Sequence, residues 1–468
     1  MKERTPFDNI SPIDYRYWDE EVAQYLSEEG FVRYKLRVEL ALVKQLCREG
    51  ICSEKVVQEV KSACEKITAV EVYAEEEKIH HDVRALVNCI RARVSEESKP
   101  YIHMLATSYD IVDTANAARY RDVVLNVLCP ALKKLEKVLI DITLREAETV
   151  QIGRTHGQHA IPITFGFAMA GYVSRLGNCI LALEKKAKDL RGKFSGAVGG
   201  YNASLLFFEY PEAFEIGVLV QLDLVAAEYS TQIIPPEPMS RLFCEIALAS
   251  GIIANLSDDM RHLQRTEIGE IGEEFSEKQV GSSTMPQKRN PINFENAKSF
   301  WKIVMPKIVT VFMDQISEHQ RDLTNSASSR TYGEIIAYVV SSAKRISKAM
   351  QKLRVDENNF ERNFFASGDM FLAEPLYILL SKAGFPDAHE KLRLLSLRAQ
   401  EKNILLTEIF VKDHDLVSYI EKFPQEWQEL LKKKSWEIKK ISVKKIYTGI
   451  ASEKARKIAK RWKRRFKF

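Results

Sequence analysis

From Asp110 to about Val150 the chain carries apolar residues at helical spacing for some forty residues, interrupted only by Pro130. Globular helices average about 11–12 residues, so a run of this length needs partners of similar length to cover its apolar face. Comparable patterns run from about Thr164 to Leu190, Met239 to Arg265, Asn290 to Glu318 and Thr331 to Leu353. Five long helices in one stretch predict a bundle. Turn formers are correspondingly scarce: 20 glycines and 15 prolines in 468 residues fall below the usual shares of about 7% and 5%.

The expected class is therefore all-α, with three helical domains. Residues 1–108 hold shorter amphipathic runs, such as 31–48, and read as an N-terminal helical domain. Residues 109–355 form the central long-helix bundle. Residues 356–468, where the helical patterns shorten, form a C-terminal helical domain with a basic tail. With 45% hydrophobic and 28% charged residues, the composition excludes fibrous and low-complexity classes.

Charge is unevenly spread. The formal net charge is +5, yet residues 432–468 hold 16 Lys and Arg against Glu437 and Glu453, which leaves residues 1–431 with a net −9. Such a tail can bind polyanions. The reading favoured here is a solvated helix that pairs with the chain's own acidic surface, so nucleic acid is not an expected partner. The seven cysteines have no C-x-x-C spacing and read as thiols of a reducing compartment. The start lacks an apolar leader, and the uncharged stretch 161–174 is too short to cross a bilayer. A cytoplasmic protein without a membrane partner is expected.

Compact polar segments between the long patterns carry the chemistry. The most specific is 281–295, Gly-Ser-Ser-Thr-Met-Pro-Gln-Lys-Arg-Asn-Pro-Ile-Asn-Phe-Glu. Its small residues let backbone N–H groups converge on an anion, Lys288 and Asn290 add a charge and an amide, and Pro291 suits the first position of the next helix. It is a carboxylate trap. Arg154-Thr155-His156-Gly157-Gln158 places a histidine in a loop ahead of a long helix, where it can serve as general acid or base. Glycines at 153 and 157 suggest a close approach of backbone to another group. Arg321, Ser326 and Arg330 are spaced to converge on a phosphate. His80 and His81 are adjacent on a predicted helix and point apart, which suits no single metal. No Walker A loop, H-E-x-x-H or G-x-G-x-x-G is present, and neither cofactor nor metal is expected.

Taken together these segments resemble the fumarase/aspartase superfamily, whose marker is the G-S-S-x-M-P-x-K-x-N-P loop read here at 281–291. Within it the chain is similar to the branch that acts on succinylated purine nucleotides. Ser11-Pro-Ile-Asp-Tyr-Arg-Tyr17, His81-Asp82-Val83, Thr107-Ser108 and Arg154 to Gln158 carry the likeness, and Ser230–Ile233, Arg321-Asp322 and Ala373–Pro375 extend it. Gly157 stands where the fumarase and argininosuccinate lyase branches typically carry Leu. Pro235-Pro236-Glu237 departs from the basic-then-acidic pair of many relatives.

The resemblance implies a homotetramer with a twenty-helix core and active sites shared between subunits. It also implies β-elimination of fumarate from a small-molecule nucleotide substrate. Ser282 would be the general base, and His156 the general acid that protonates the leaving nitrogen, with Glu295 to orient it. Lys288 and Asn290 would stabilise the carboxylate dianion, and His81 and His103 would lie near the reacting groups. Arg16, Tyr17, His80, Asp82, Thr107, Ser108, Gln232, Arg321, Ser326 and Arg330 would join them in holding the nucleotide and the succinyl carboxylates.

Overall fold

The structure, a computed structural model, describes residues 9–275, 283–433 and 447–468. The first part of the chain forms α1 (Glu20–Leu26), α2 (Glu28–Arg48), α3 (Glu54–Cys64), α4 (Ala69–Ile79) and α5 (Asp82–Arg91). The long elements follow: α6 (Ser108–Val123), α7 (Cys129–Arg145), α8 (Phe165–Lys188), the shorter α9 (Pro211–Val220), then α10 (Glu237–Leu263), α11 (Ile292–Met313) and α12 (Tyr332–Gln351). All five predicted long helices are present. After them come α13 (Glu357–Phe365), α14 (Ala373–Lys382), α15 (Ala388–Lys402), α16 (Leu406–Phe410), α17 (Val417–Ile420), α18 (Gln425–Lys432) and α19 (Ala451–Phe466).

Pro130 acts differently from a simple kink. The turn before it, Val124–Leu128, is π-helical, and the Cys129 N–H donates to the Val124 carbonyl five residues back. Proline has no N–H, and its ring would press on the carbonyl of Asn126 in a regular helix; one wider turn relieves both problems. The helical pattern then ends at Arg145, short of Val150.

The chain divides into two compact units, residues 1–135, 176–257 and 293–347 in one and 136–175, 258–292 and 348–468 in the other. In the first unit, Val32, Leu36 and Val43 of α2, Val56, Val57 and Val60 of α3, and Leu86 and Ile90 of α5 make one core. Short strands Arg191–Gly192 and Val225–Ala226 pair in parallel there.

In the second unit, β1 (Val150–Thr155) and β2 (Gln158–Thr164) form an antiparallel hairpin, and Ile271–Gly272 pairs with Arg354–Val355. Ile152 packs with Phe364, Leu376, Leu395, Phe410 and Trp427. The basic tail ends in an ordered helix: Ala451, Ala455, Ala459 and Trp462 line the buried face of α19, and Arg456 pairs with Glu148 at 3.0 Å. That is the single ion pair α19 makes among the described residues, so within this helix the expected pairing with the chain's own acids reaches one side chain; residues 434–446 of the tail lie outside the described residues. The α10 helix is long and apolar enough to cross a membrane by composition, but Leu242, Phe243, Ile246, Ile253 and Leu256 are buried in the fold.

Candidate active site

His156 lies on a hairpin, not in an open loop. Thr155 pairs with Gln158, and the two residues between them have positive φ, +55° for His156 and +77° for Gly157, the signature of a type I′ turn. The side chain of His156 is exposed at the tip. The two flanking glycines serve different needs. A Cβ on Gly153 would meet the Ile161 carbonyl at 2.7 Å, at the bulge where the register shifts, whereas nothing lies within 4 Å of Gly157. Gly157 is a turn residue and marks no close approach. Below the tip, the wholly buried carboxylate of Glu270 accepts from Arg154 at 2.6 Å, from Gln151 at 2.8 Å and from Asn363 at 3.0 Å. A buried charge with three donors is satisfied and holds β1 rigidly.

In the same unit, Lys288 is exposed on the loop 283–291, where its N–H donates to the Met285 carbonyl, and Gln264 donates to the Arg289 carbonyl. Asn290 is half-buried just before α11, which starts at Ile292, so Pro291 stands one residue ahead of the expected position. Ser282 lies outside the described residues.

The first unit gathers most of the remaining expected residues. His80 ends α4 in the left-handed region, and His81 caps α5, its Nδ1 accepting from the Arg84 N–H at 3.2 Å. The pair thus forms the joint between two helices, not part of one helix as expected. With Nδ1 committed as acceptor, the neutral ring carries its proton on Nε2. Asp82 opens α5, and Lys35 reaches it at 3.6 Å. His103, held at φ +62°, makes a 2.7 Å contact from Nδ1 to Glu39.

Thr107 and Ser108 start α6 through a capping box in which the Asp110 carboxylate accepts from the Thr107 N–H at 2.7 Å. The other Asp110 oxygen accepts from Lys193, both side chains being fully buried. Arg321 donates to Gln232 at 3.0 Å and lies over the Tyr109 ring at 3.5 Å. Tyr109 follows Ser108, so Gln232, Arg321 and the start of α6 come together. Ser326 and Arg330 are exposed on the following turns. Tyr17 packs edge-on against Phe300 at 4.8 Å and accepts from Asn296, which fixes the N-terminal segment beside Arg16. Glu295 is exposed in the first turn of α11.

The departing prolines also have a place. Pro235, Pro236 and Pro238 line a cleft of about 920 Å³, its open mouth included, with Tyr109, Asp113 and Tyr332. The Asp113 carboxyl there accepts from the Ile234 N–H at 2.9 Å, and burial pushes its pKa up to about 6. No group of three or more His, Cys, Asp and Glu is arranged to hold a metal among the described residues.

Sequence reasoning missed Lys35, Glu39, Tyr109, Lys193 and Glu270. For Lys35 and Glu39 a signal existed: two charged residues four apart on the apolar side of a helical pattern. Lys193 and Glu270 carry no such mark, because their partners are distant in sequence.

The Lyase family profile matches residues 12–305, and the profile described as adenylosuccinate lyase C-terminal matches 317–431. An adenylosuccinate lyase of Archaeoglobus fulgidus is 34% identical over 457 residues, spanning 97% of this chain and 98% of the relative. One of Pyrococcus abyssi is 35% identical over 88% of this chain and 92% of its own length. Among solved structures, a fumarate lyase from Mesorhizobium sp. BNC1 superposes with a TM-score of 0.81 at 21% identity, covering 95% of this chain and 98% of that one. A likeness of such length and identity, carried by both halves of the sequence, places the chain in the adenylosuccinate lyase family of the fumarase/aspartase superfamily.

Proposed function

We propose that this chain cleaves adenylosuccinate to AMP and fumarate by β-elimination, and releases fumarate from the related succinylated carboxamide ribotide of purine biosynthesis. The observation that carries this reading is the end-to-end likeness to proteins named adenylosuccinate lyase. Removing a proton beside a carboxylate creates a dianion, and the site must above all stabilise it. The exposed loop with Lys288 and the neighbouring Asn290 suits that need.

In this reading Ser282 takes the proton and His156 gives one to the departing nitrogen, with Glu295 to orient it. His81 and His103 lie near the reacting groups. Arg16, Tyr17, His80, Asp82, Thr107, Ser108, Gln232, Arg321, Ser326 and Arg330 hold the nucleotide and its carboxylates. The exposed hairpin tip supports the role of His156, because a general acid needs an open path to its substrate. The three-domain division at 108/109 and 355/356 belongs to this reading, as does a cytoplasmic location; all seven cysteines are free thiols.

The assembly follows as a homotetramer with shared sites. Its support is α11, which exposes Met305, Val309, Phe312 and Met313 at helical spacing. An apolar stripe of that kind usually marks an interface. Fumarate release is followed by absorbance with adenylosuccinate and, in parallel, argininosuccinate. Turnover of the first alone supports the proposal; turnover of the second, or of neither, refutes it. Light scattering on the eluted protein tests the tetramer.

A further inference from the structure

The inner face of α2 carries two charges where a core helix would carry aliphatic side chains. Lys35 is 5% exposed and Glu39 is fully buried, four residues apart and therefore on one side of the helix. Burying an ionised group costs stability unless it is paired, so each needs a reason. Each has one partner of note. Lys35 reaches Asp82 at 3.6 Å, at the start of α5. Glu39 contacts Nδ1 of His103 at 2.7 Å, on the segment leading to α6, and its second oxygen has no hydrogen-bond partner. Both partners are residues the proposed reaction uses, and both contacts originate one helical turn apart on one rigid element.

We propose that Lys35 and Glu39 are positioning residues, which set Asp82 and His103 from beneath so that both present a fixed polar edge to the anionic substrate. This inference rests on the reading of Asp82 and His103 as substrate-holding residues. With Nδ1 engaged by Glu39, His103 has only Nε2–H left to offer a carboxylate or phosphate. The charges around His103 come from three helices. Burial drives its pKa down, and Glu39 on α2 and Asp110 on α6 outweigh that and Arg84 on α5, so the net shift is upward. Cys64 of α3 also faces Glu39, and burial with that charge pushes the thiol up to about 12, keeping it neutral. Glu39 therefore decides both the orientation of His103 and how long it stays cationic as pH rises.

The test uses the full chain with adenylosuccinate. Glu39→Gln keeps the shape and removes the charge. NMR titration of the histidine Cε1–H signals, with His103→Gln to assign the resonance, is expected to show His103 titrating above the ordinary value near 6.5 and moving down in Glu39→Gln. The alkaline limb of kcat/KM moves the same way, a loss of about tenfold at pH 8 with the melting curve preserved. The double variant Glu39→Gln/His103→Gln should be no worse than His103→Gln alone, and Lys35→Met should add nothing to Asp82→Asn.

If Glu39→Gln does not fold, Glu39→Asp carries the test, since it keeps the charge but shortens the reach and gives a smaller drop. An unchanged His103 titration and pH profile in a folded Glu39 variant overturns the inference. Inactive His103→Gln beside a normal Glu39→Gln sinks the inference and leaves the site reading standing. A fully active His103→Gln sinks the site reading itself.

Discussion

A histidine at φ +55° is held by a backbone that few residues adopt, and in this chain three histidines expected to serve the reaction, His80, His103 and His156, share the left-handed region. Positive φ in side chains of this kind concentrates where function over-determines the conformation. His156→Ala and Ser282→Ala are each expected to cut turnover by about 10²- to 10⁴-fold with the assembly intact, as removal of a general acid or base does. Steady-state kinetics alongside sedimentation checks both, and a greater loss in Ser283→Ala would move the base to the second serine. A second residue has a pH signature. Glu136 on α7 is fully buried, neither of its oxygens has a partner, and burial raises its pKa from 4.5 to about 9. The folded chain keeps this carboxyl protonated while the unfolded chain ionises it, so stability falls as pH rises from about 4.5 toward 9. Glu136→Gln should raise the melting temperature, by more at pH 8 than at pH 5; an equal shift at both would show that Glu136 is ionised in the fold.

At the scale of elements, the hairpin separates the effect of backbone from that of side chain. Gly157 has open space around it and a φ that costs an L-residue about 1–2 kcal/mol, so Gly157→Ala should lower turnover by misplacing His156, while Gly157→Asn should stay near the parent. Equal activity in the two variants would remove the backbone argument. The same hairpin marks the limit of what the sequence discloses. The long helices are legible because a 3.6-residue period over twenty residues leaves no alternative, and the joints are legible as Gly- and Ser-rich breaks. The strands around His156 are not, since residues 150–164 show no clear alternation and a His-Gly turn lacks the Asn-Gly pattern that announces a hairpin. The segments proposed as catalytic are visible as motifs. Lys35, Glu39 and Glu270, which hold them, act through contacts the linear pattern does not contain.

For the whole molecule, the terminal helix is expected to add stability without taking part in the chemistry. Truncation after Ser452 removes the buried Ala455, Ala459 and Trp462, so the melting temperature should fall, while turnover should remain close to that of the full chain. Any nucleic-acid binding by the full chain is expected to be weak at physiological salt and to vanish steeply as salt rises, as contacts with phosphates do. A gel shift showing tight, sequence-selective binding lost on truncation would give the helix a second role. The seating of α19 also has an electrophoretic consequence. Residues 453–468 carry nine basic side chains and one acid, so their loss turns a chain of net +5 into one of net −3. At neutral pH the full protein migrates toward the cathode and the truncated one toward the anode, and a single cleavage beside Trp462's helix would show on a native gel as a reversal of direction.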